Sequence, residues 1–266
     1  MQKTILITGS TDGIGLETAK VLVDMGCHVI VHGRNPNKVK QVESQLAQLG
    51  KGKVDSIVAD LSSIKAVNQM ITEITTRFNQ PDVIINNAGV YMAPKVETED
   101  GLDVRFAVNT IAPYMLTKGL LPLLNSDCRV INLSSAAQAP VNLKALIGAV
   151  ALSDGEAYAQ SKLALTMWSR ELGLHFKDTG PMIVSINPKS FLGSKMVKEA
   201  YGMAGKDLSL GADILVRAAL SDEFKHAHGA YYDNDIEAFA SPHPDALNEA
   251  KAKQVIGVIE AIIEGK

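Results

Sequence analysis

A tyrosine followed four residues later by a lysine occurs three times in the 266-residue sequence: Tyr91 with Lys95, Tyr114 with Lys118, and Tyr158 with Lys162. On a helix this spacing stacks the two side chains one turn apart, and an ammonium beside a phenol can make tyrosine an acid–base group. A free phenol has a pKa of about 10, so proton transfer near neutrality requires roughly 4 kcal/mol in favour of the phenolate. A positive charge about 4.5 Å away, at an effective dielectric of about 20, supplies close to that amount. Pro94 interrupts the first pair and denies it a regular helix face. The other two pairs lie among good helix formers, and only their place along the chain can separate them.

A second constellation is the stretch TGSTDGIGLETA, with Gly9, Gly13 and Gly15 between an apolar strand and an amphipathic segment. Glycines there permit a tight turn and close backbone approach, while the free N–H groups at the helix start favour a pyrophosphate. Thr8, Gly9, Ser10, Gly13, Ile14 and Gly15 are therefore expected to line a dinucleotide, with a second strand, HVIVHG, at the right remove. Some 18 residues beyond Gly15, where an NAD binder carries an acid for the ribose 2′-hydroxyl, stand Gly33 and Arg34. A guanidinium binds a 2′-phosphate through charge-assisted bonds of roughly 1.5 to 3 kcal/mol, so NADP(H) is expected in preference to NAD(H). Asp12, a negative charge in the glycine loop, argues the other way.

The elements that must position these groups follow from periodicity. Apolar runs at TILIT, HVIVHG, KVDSIVA, DVIINN, CRVINLS, MIVSINP and GAYYDN alternate with amphipathic segments at about 14–26, 36–49, 63–78, 99–125 and 156–177. Continuously apolar strands separated by helices indicate a parallel sheet covered on both faces. The expectation is an α/β fold: one doubly wound parallel sheet with helices on both faces, Rossmann-like, in a single domain over 1–266. Ligands in such sheets bind at the carboxyl ends of the strands. The segments at about 136–155 and 189–206 break the alternation and are expected to form substrate loops.

Composition narrows the partners. Net charge is −3 with scattered basic residues, which gives neither nucleic acid nor an anionic membrane a basic surface to hold. The two cysteines, Cys27 and Cys128, lack metal-ligand spacing, so no metal site is expected and free thiols in a reducing cytosol are. No secretion signal is expected, since an apolar strand, KTILITG, begins almost at once, and the most apolar later stretch, Leu143 to Leu152, is about half the length a membrane span needs. A cytoplasmic location without a membrane span is expected, with surface attachment through 136–155 left open.

T-G-x-x-x-G-x-G, then NNAG at Asn86 to Gly89, then Y-x-x-x-K after the fifth strand, in this order, resembles the short-chain dehydrogenase/reductase family over nearly the whole chain. The resemblance implies hydride transfer between a nicotinamide dinucleotide and a carbonyl or alcohol. It places Asp60 and Leu61 at the adenine ring, where helix capping by Ser62 or Asp60 is an alternative role for that segment. It sets Asn87, Ala88 and Gly89 beside the cofactor. Asn109 would hold a relay water, Ser135 (or, second, Ser134) would bind the substrate oxygen, and Tyr158 would be the acid–base residue. Lys162 would lower the Tyr158 pKa and hold the nicotinamide ribose. Only Tyr158 and Lys162 follow the serine strand and open a helix, which leaves Tyr114 and Lys118 to packing.

Two departures stand out. The family's P-G and later threonine after the sixth strand are NPKSFLGSK here: Lys189 follows Pro188, and Gly193 stands at the threonine position. Ser190 or Ser194 would then replace the missing donor. The long interval from Ser135 to Tyr158 resembles the retinol dehydrogenase-like branch. Met196, Tyr201 and Met203 would face an apolar substrate or pack on the sheet. The expected function is an NADP(H)-dependent oxidoreductase acting on a carbonyl or secondary alcohol of a fairly apolar small molecule, in a homodimer or homotetramer formed through helix faces near 104–125 and 156–177. A non-catalytic NADP(H)-binding sensor is the alternative.

Overall fold

The computed structural model describes residues 2–78, 80–202 and 204–265, without the side chains of Ala200 and Tyr201. The expectations for Tyr201 and Met203 therefore lie outside the described residues. Eight strands form one sheet: β1 (Thr4–Ile7), β2 (His28–Gly33), β3 (Val54–Val58), β4 (Val83–Asn86), β5 (Arg129–Leu133), β6 (Met182–Asn187), β7 (Tyr231–Asp233) and β8 (Ala238–Ala240). Their order is β3-β2-β1-β4-β5-β6-β7-β8, parallel throughout except for the final β7–β8 hairpin. The order reverses between β1 and β4, so the glycine turn and the NNAG segment meet at the switch point.

Alternation along each strand feeds two cores. Leu6, Ile30, Ile84, Val130 and Ile183 point to one face, covered by α3 (Ile64–Arg77), α5 (Ala112–Leu120), α7 (Asp154–His175) and α10 (Glu249–Ile263). Ile5, Ile7, Val29, Val31, Ile85 and Val184 point to the other, against α1 (Gly13–Asp24), α2 (Pro36–Ala47) and α9 (Ser209–Leu220). Burial on both faces is what the unbroken apolar strands demanded.

The helix expected from residue 99 begins at 104 instead. Gly101 takes a left-handed φ of 73° in a turn closed by a Glu97–Asp103 bridge, so α4 (Val104–Phe106) starts behind it, capped by the Asp103 side chain. A π-helical turn, Ala107–Ile111, joins α4 to α5. The loop at 136–155 contains only the short α6 (Leu143–Leu146), and the loop at 189–206 carries α8 (Lys195–Tyr201). Strand β8 and helices α9 and α10 complete the chain beyond the expected elements. Helix α10 packs Ala252, Val255 and Ile259 into the core shared with α7, and its Glu260 meets Tyr114 and Lys118 of α5. Part of the helix surface expected to meet a partner protomer is thus covered from within the chain. No helix among the described residues is long and apolar enough to cross a membrane.

Candidate active site

The glycine turn is braced from three sides. Asn87 donates from Nδ2 to the Thr8 carbonyl (2.8 Å) and the Gly9 carbonyl (3.0 Å), and the Ala88 N–H donates to Thr8 Oγ1 (3.0 Å). A Cβ on Gly15 would collide with the Asn87 amide, and one on Gly9 would come within 2.8 Å of Ala88 Cα. Gly9 also has φ +64°, so glycine is required there twice over. The third brace is His32, which the sequence reading passed over. Gly9 N–H donates to its Nδ1 (3.1 Å), so Nε2 carries the proton and donates to the Ala59 carbonyl (3.1 Å). Burial holds this imidazole neutral, with its pKa pulled down to about 4. The hydroxyls of Thr8 and Ser10 turn inward: Ser10 Oγ donates to Ile7 O (2.9 Å) and accepts from His32 N–H (2.9 Å).

At the rim, Asp12 caps α1 and pairs with Lys38 (2.9 Å), which with the Gly13 N–H holds its carboxyl below the usual range against the effect of partial burial. Exposed Arg34 follows Gly33, and a Cβ on Gly33 would strike Thr11 of the glycine turn, so the end of β2 packs closely against that turn. Ile14 packs on Gly211 of α9. Asp60 accepts the N–H and hydroxyl of Ser62 in a local turn (2.9 and 2.8 Å), while Ser63 rather than either of them caps α3. Leu61 is buried in the core.

Beyond the switch point, Asn86 donates to Asn132 (2.8 Å), and Asn132 to Ser169 of α7 (2.9 Å), tying β4 and β5 to that helix. Helix α7 starts on a reciprocal cap between Ser153 and Glu156. It presents half-buried Tyr158 and, one turn on, Lys162, whose Nζ lies 5.7 Å from the Tyr158 ring centroid and donates to the Leu133 carbonyl (2.7 Å). Full burial lowers the Lys162 pKa to about 8. Asn109 lies in the π turn. Its Oδ1 accepts from Val90 N–H (2.7 Å), and its Nδ2 donates to Val90 O and Ser161 Oγ (both 2.9 Å). The two serines of LSS separate cleanly. Ser134 is buried against Thr166 (2.7 Å), whereas Ser135 is half-buried, its Oγ accepting the Ala137 N–H (3.1 Å).

Gly89 is the meeting point. A Cβ there would stand 3.6 Å from both Lys162 Nζ and Asn109 Oδ1 and 3.7 Å from Met196 of α8, so glycine keeps open the space between the glycine turn and Lys162. Ser194, which caps α8, lies over Gly13, where an added Cβ would meet its Cβ at 3.9 Å. Ser190 is engaged elsewhere: both its N–H (3.0 Å) and its hydroxyl donate to Asp235. Lys189 adopts φ +122° and ties the loop to the β7–β8 turn through Asn234 O (3.1 Å) and Glu237 (3.3 Å), while Asn234 donates to Pro188 O (2.9 Å). Tyr91, set aside with its broken pair, packs against Tyr158 with ring centroids 5.0 Å apart and planes tilted by 54°. Its place directly after NNAG was the available signal. No group of three or more metal-binding side chains occurs among the described residues.

Residues 3–204 match the family described as short chain dehydrogenase. Human polyprenol dehydrogenase is 32% identical, over 88% of this chain and 78% of its own length. Bovine retinol dehydrogenase 12 is 30% identical, over 96% and 84%. Among solved structures, an uncharacterized protein from Mycobacterium paratuberculosis superposes with a TM-score of 0.82 at 24% identity, covering 99% of this chain and 94% of that one. A Shigella flexneri short chain dehydrogenase complexed with NADP is 26% identical with a TM-score of 0.68, covering 87% and 96%.

Proposed function

The chain belongs to the short-chain dehydrogenase family, and from that premise we propose that it is an NADP(H)-dependent oxidoreductase acting on a carbonyl or secondary alcohol of a fairly apolar small molecule. The observation that carries the reading is the convergence at Gly89 of the Lys162 amine and the Asn109 amide, with Tyr158 one turn away and the braced glycine turn alongside. The residues fit a dinucleotide. Among the described residues a Cβ on Gly13 would meet nothing nearer than Ser194 Cβ at 3.9 Å, and Lys162 uses one donor on Leu133, leaving an ammonium's other two for a ribose diol.

A bound nicotinamide supplies or accepts the hydride at the substrate carbon. Tyr158 donates its hydroxyl proton to the substrate oxygen in reduction and takes it back in oxidation. Lys162 stabilises the phenolate left behind, and Ser135 donates a hydrogen bond to the same oxygen as charge develops on it. The Asn109 side chain is bound to Val90 and Ser161, so it sets the spacing between the β4 loop and α7.

Arg34 supports the phosphorylated dinucleotide, as does the NADP named with the Shigella flexneri neighbour. The polyprenol and retinol in the names of the relatives support an apolar alcohol or its carbonyl, as does Met196 at the site's edge. The test is a panel of ketones, aldehydes, quinones and alcohols with NADPH or NADP⁺, followed by nicotinamide absorbance. At least one member turns over, and Arg34→Ala lowers the preference for NADPH over NADH by about tenfold or more. Tight NADPH binding with silence across the panel would favour a non-catalytic sensor.

A further inference from the structure

Arg105 is 1% exposed, and a buried guanidinium is tolerated only where its donors find fixed partners. It grips Asp103 with two parallel bonds, Nε to Oδ1 (2.8 Å) and Nη2 to Oδ2 (2.6 Å). Such a fork fixes the plane of the group and so aims the remaining Nη1. That nitrogen donates to Asp154 and reaches the Tyr91 carbonyl at 3.5 Å. Asp154 is the first residue of α7, four before Tyr158. One turn beyond Arg105, Asn109 joins Val90 to Ser161, three residues after Tyr158. Two side chains on one segment therefore each connect the loop after β4 to α7, and their anchor points bracket Tyr158. The loop residue whose carbonyl Arg105 holds, Tyr91, sets its ring against the Tyr158 ring at 5.0 Å with the planes tilted by 54°, and its hydroxyl lies 3.4 Å from where a Cβ on Gly155 would stand.

We propose that Arg105 is a positioning residue for Tyr158: by clamping Asp154 and the Tyr91 carbonyl it sets where α7 begins and holds the Tyr91 ring against the reacting phenol. The proposal rests on the reading of Tyr158 as the acid–base residue. The Ser153–Glu156 cap holds the first turn of α7 together by itself, so losing the clamp displaces the helix start without unwinding it. Asn109 then remains as a single pivot.

The experiment compares Asp154→Ala, Tyr91→Leu, Tyr91→Phe and Arg105→Gln in protein labelled with 3-fluorotyrosine, the Tyr158 resonance being assigned by its absence in Tyr158→Phe. Asp154 is half-exposed and its removal leaves Arg105 paired with Asp103, so that variant folds even if Arg105→Gln does not. Asp154→Ala and Tyr91→Leu are expected to move the Tyr158 fluorine resonance and to lower kcat by about tenfold while KM and NADPH affinity stay within about twofold. Tyr91→Phe, which keeps the ring, retains more of both signals than Tyr91→Leu. An unmoved resonance with kcat within about twofold in Asp154→Ala overturns the proposal, as does a loss of thermal stability alone. Should the wild type turn over no substrate, the oxidoreductase reading fails while the fluorine comparison still decides whether the clamp positions Tyr158.

Discussion

Two tyrosine–lysine pairs on adjacent helices share one spacing and nearly one geometry: Lys118 Nζ lies 5.6 Å from the Tyr114 ring centroid, and Lys162 Nζ 5.7 Å from that of Tyr158. Their surroundings give them opposite uses. Glu260 accepts from both the Tyr114 hydroxyl and Lys118, and burial together with that carboxylate pushes the Tyr114 phenol far above its ordinary range. The pair is a protonated, compensated strut between α5 and α10. Among the described residues Lys162 pairs with no carboxylate and donates to a backbone carbonyl, and burial lowers its pKa. Spacing brings an amine to a phenol; the third group decides whether the charge is neutralised or kept for chemistry.

Replacing each lysine by methionine breaks the comparison most sharply. Lys162→Met is expected to lower turnover by about a thousandfold or more, whereas Lys118→Met leaves it within about twofold because its partner Glu260 lies on the far helix. Stability moves the opposite way. The folded pKa of Lys162 lies near 8 against about 10.5 unfolded. Below pH 8 the amine is charged in both states, and the fold bears roughly 3 kcal/mol of desolvation that disappears as pH rises from 8 to 10.5. Lys162→Met is thus expected to raise unfolding free energy at pH 7 by up to about 3 kcal/mol in urea titrations. A less stable Lys162→Met would contradict this account of the amine.

His32 sharpens the same point with a group kept neutral rather than charged. Its folded pKa near 4 lies below the 6.5 of the free side chain. The unfolded chain therefore binds the proton first, and stability is lost as pH falls from 6.5 to 4, by about 3 kcal/mol in all. Urea unfolding across that window shows the slope in the wild type and a shallower one in His32→Gln. The smallest effect concerns Lys189, whose φ of +122° is a glycine conformation. Lys189→Gly relieves strain of about 1 kcal/mol or more and gives up the bonds to the Asn234 carbonyl and to an exposed glutamate, so a melting temperature within a few degrees of the wild type is expected.

The sheet, the glycine turn and the order of the motifs were legible because each is local: strand alternation, three glycines before a helix, NNAG at a strand end. Motif order alone put Ser135 ahead of Ser134, and the fold adds a physical difference between them, since Thr166 of α7 takes the inner one. What escaped the sequence depends on distant partners. Tyr91 belongs to the site because its loop is fastened by Asn109 and Arg105, and His32 matters because β2 ends beside Gly9. The π turn at Asn109 has no periodic signature of its own. Helix α10 was not among the expected elements, although Asn248 as its cap and Ala252, Val255 and Ile259 on one face were a signal for it. That it lies over α5 and α7 had no such signal, because nothing local to 249–263 names Tyr114 and Lys118 as the partners of Glu260.

The central claim is that the phenol at 158, and not its twin at 114, takes part in proton transfer. Turnover of Tyr158→Phe and Tyr114→Phe on the same substrate with NADPH measures it directly. Tyr158→Phe is expected to fall by about a hundredfold or more with NADPH affinity nearly intact, and Tyr114→Phe to stay within about twofold while losing about 1 to 2 kcal/mol of stability. Equal activity in the two variants, or a full rate in Tyr158→Phe, would contradict it.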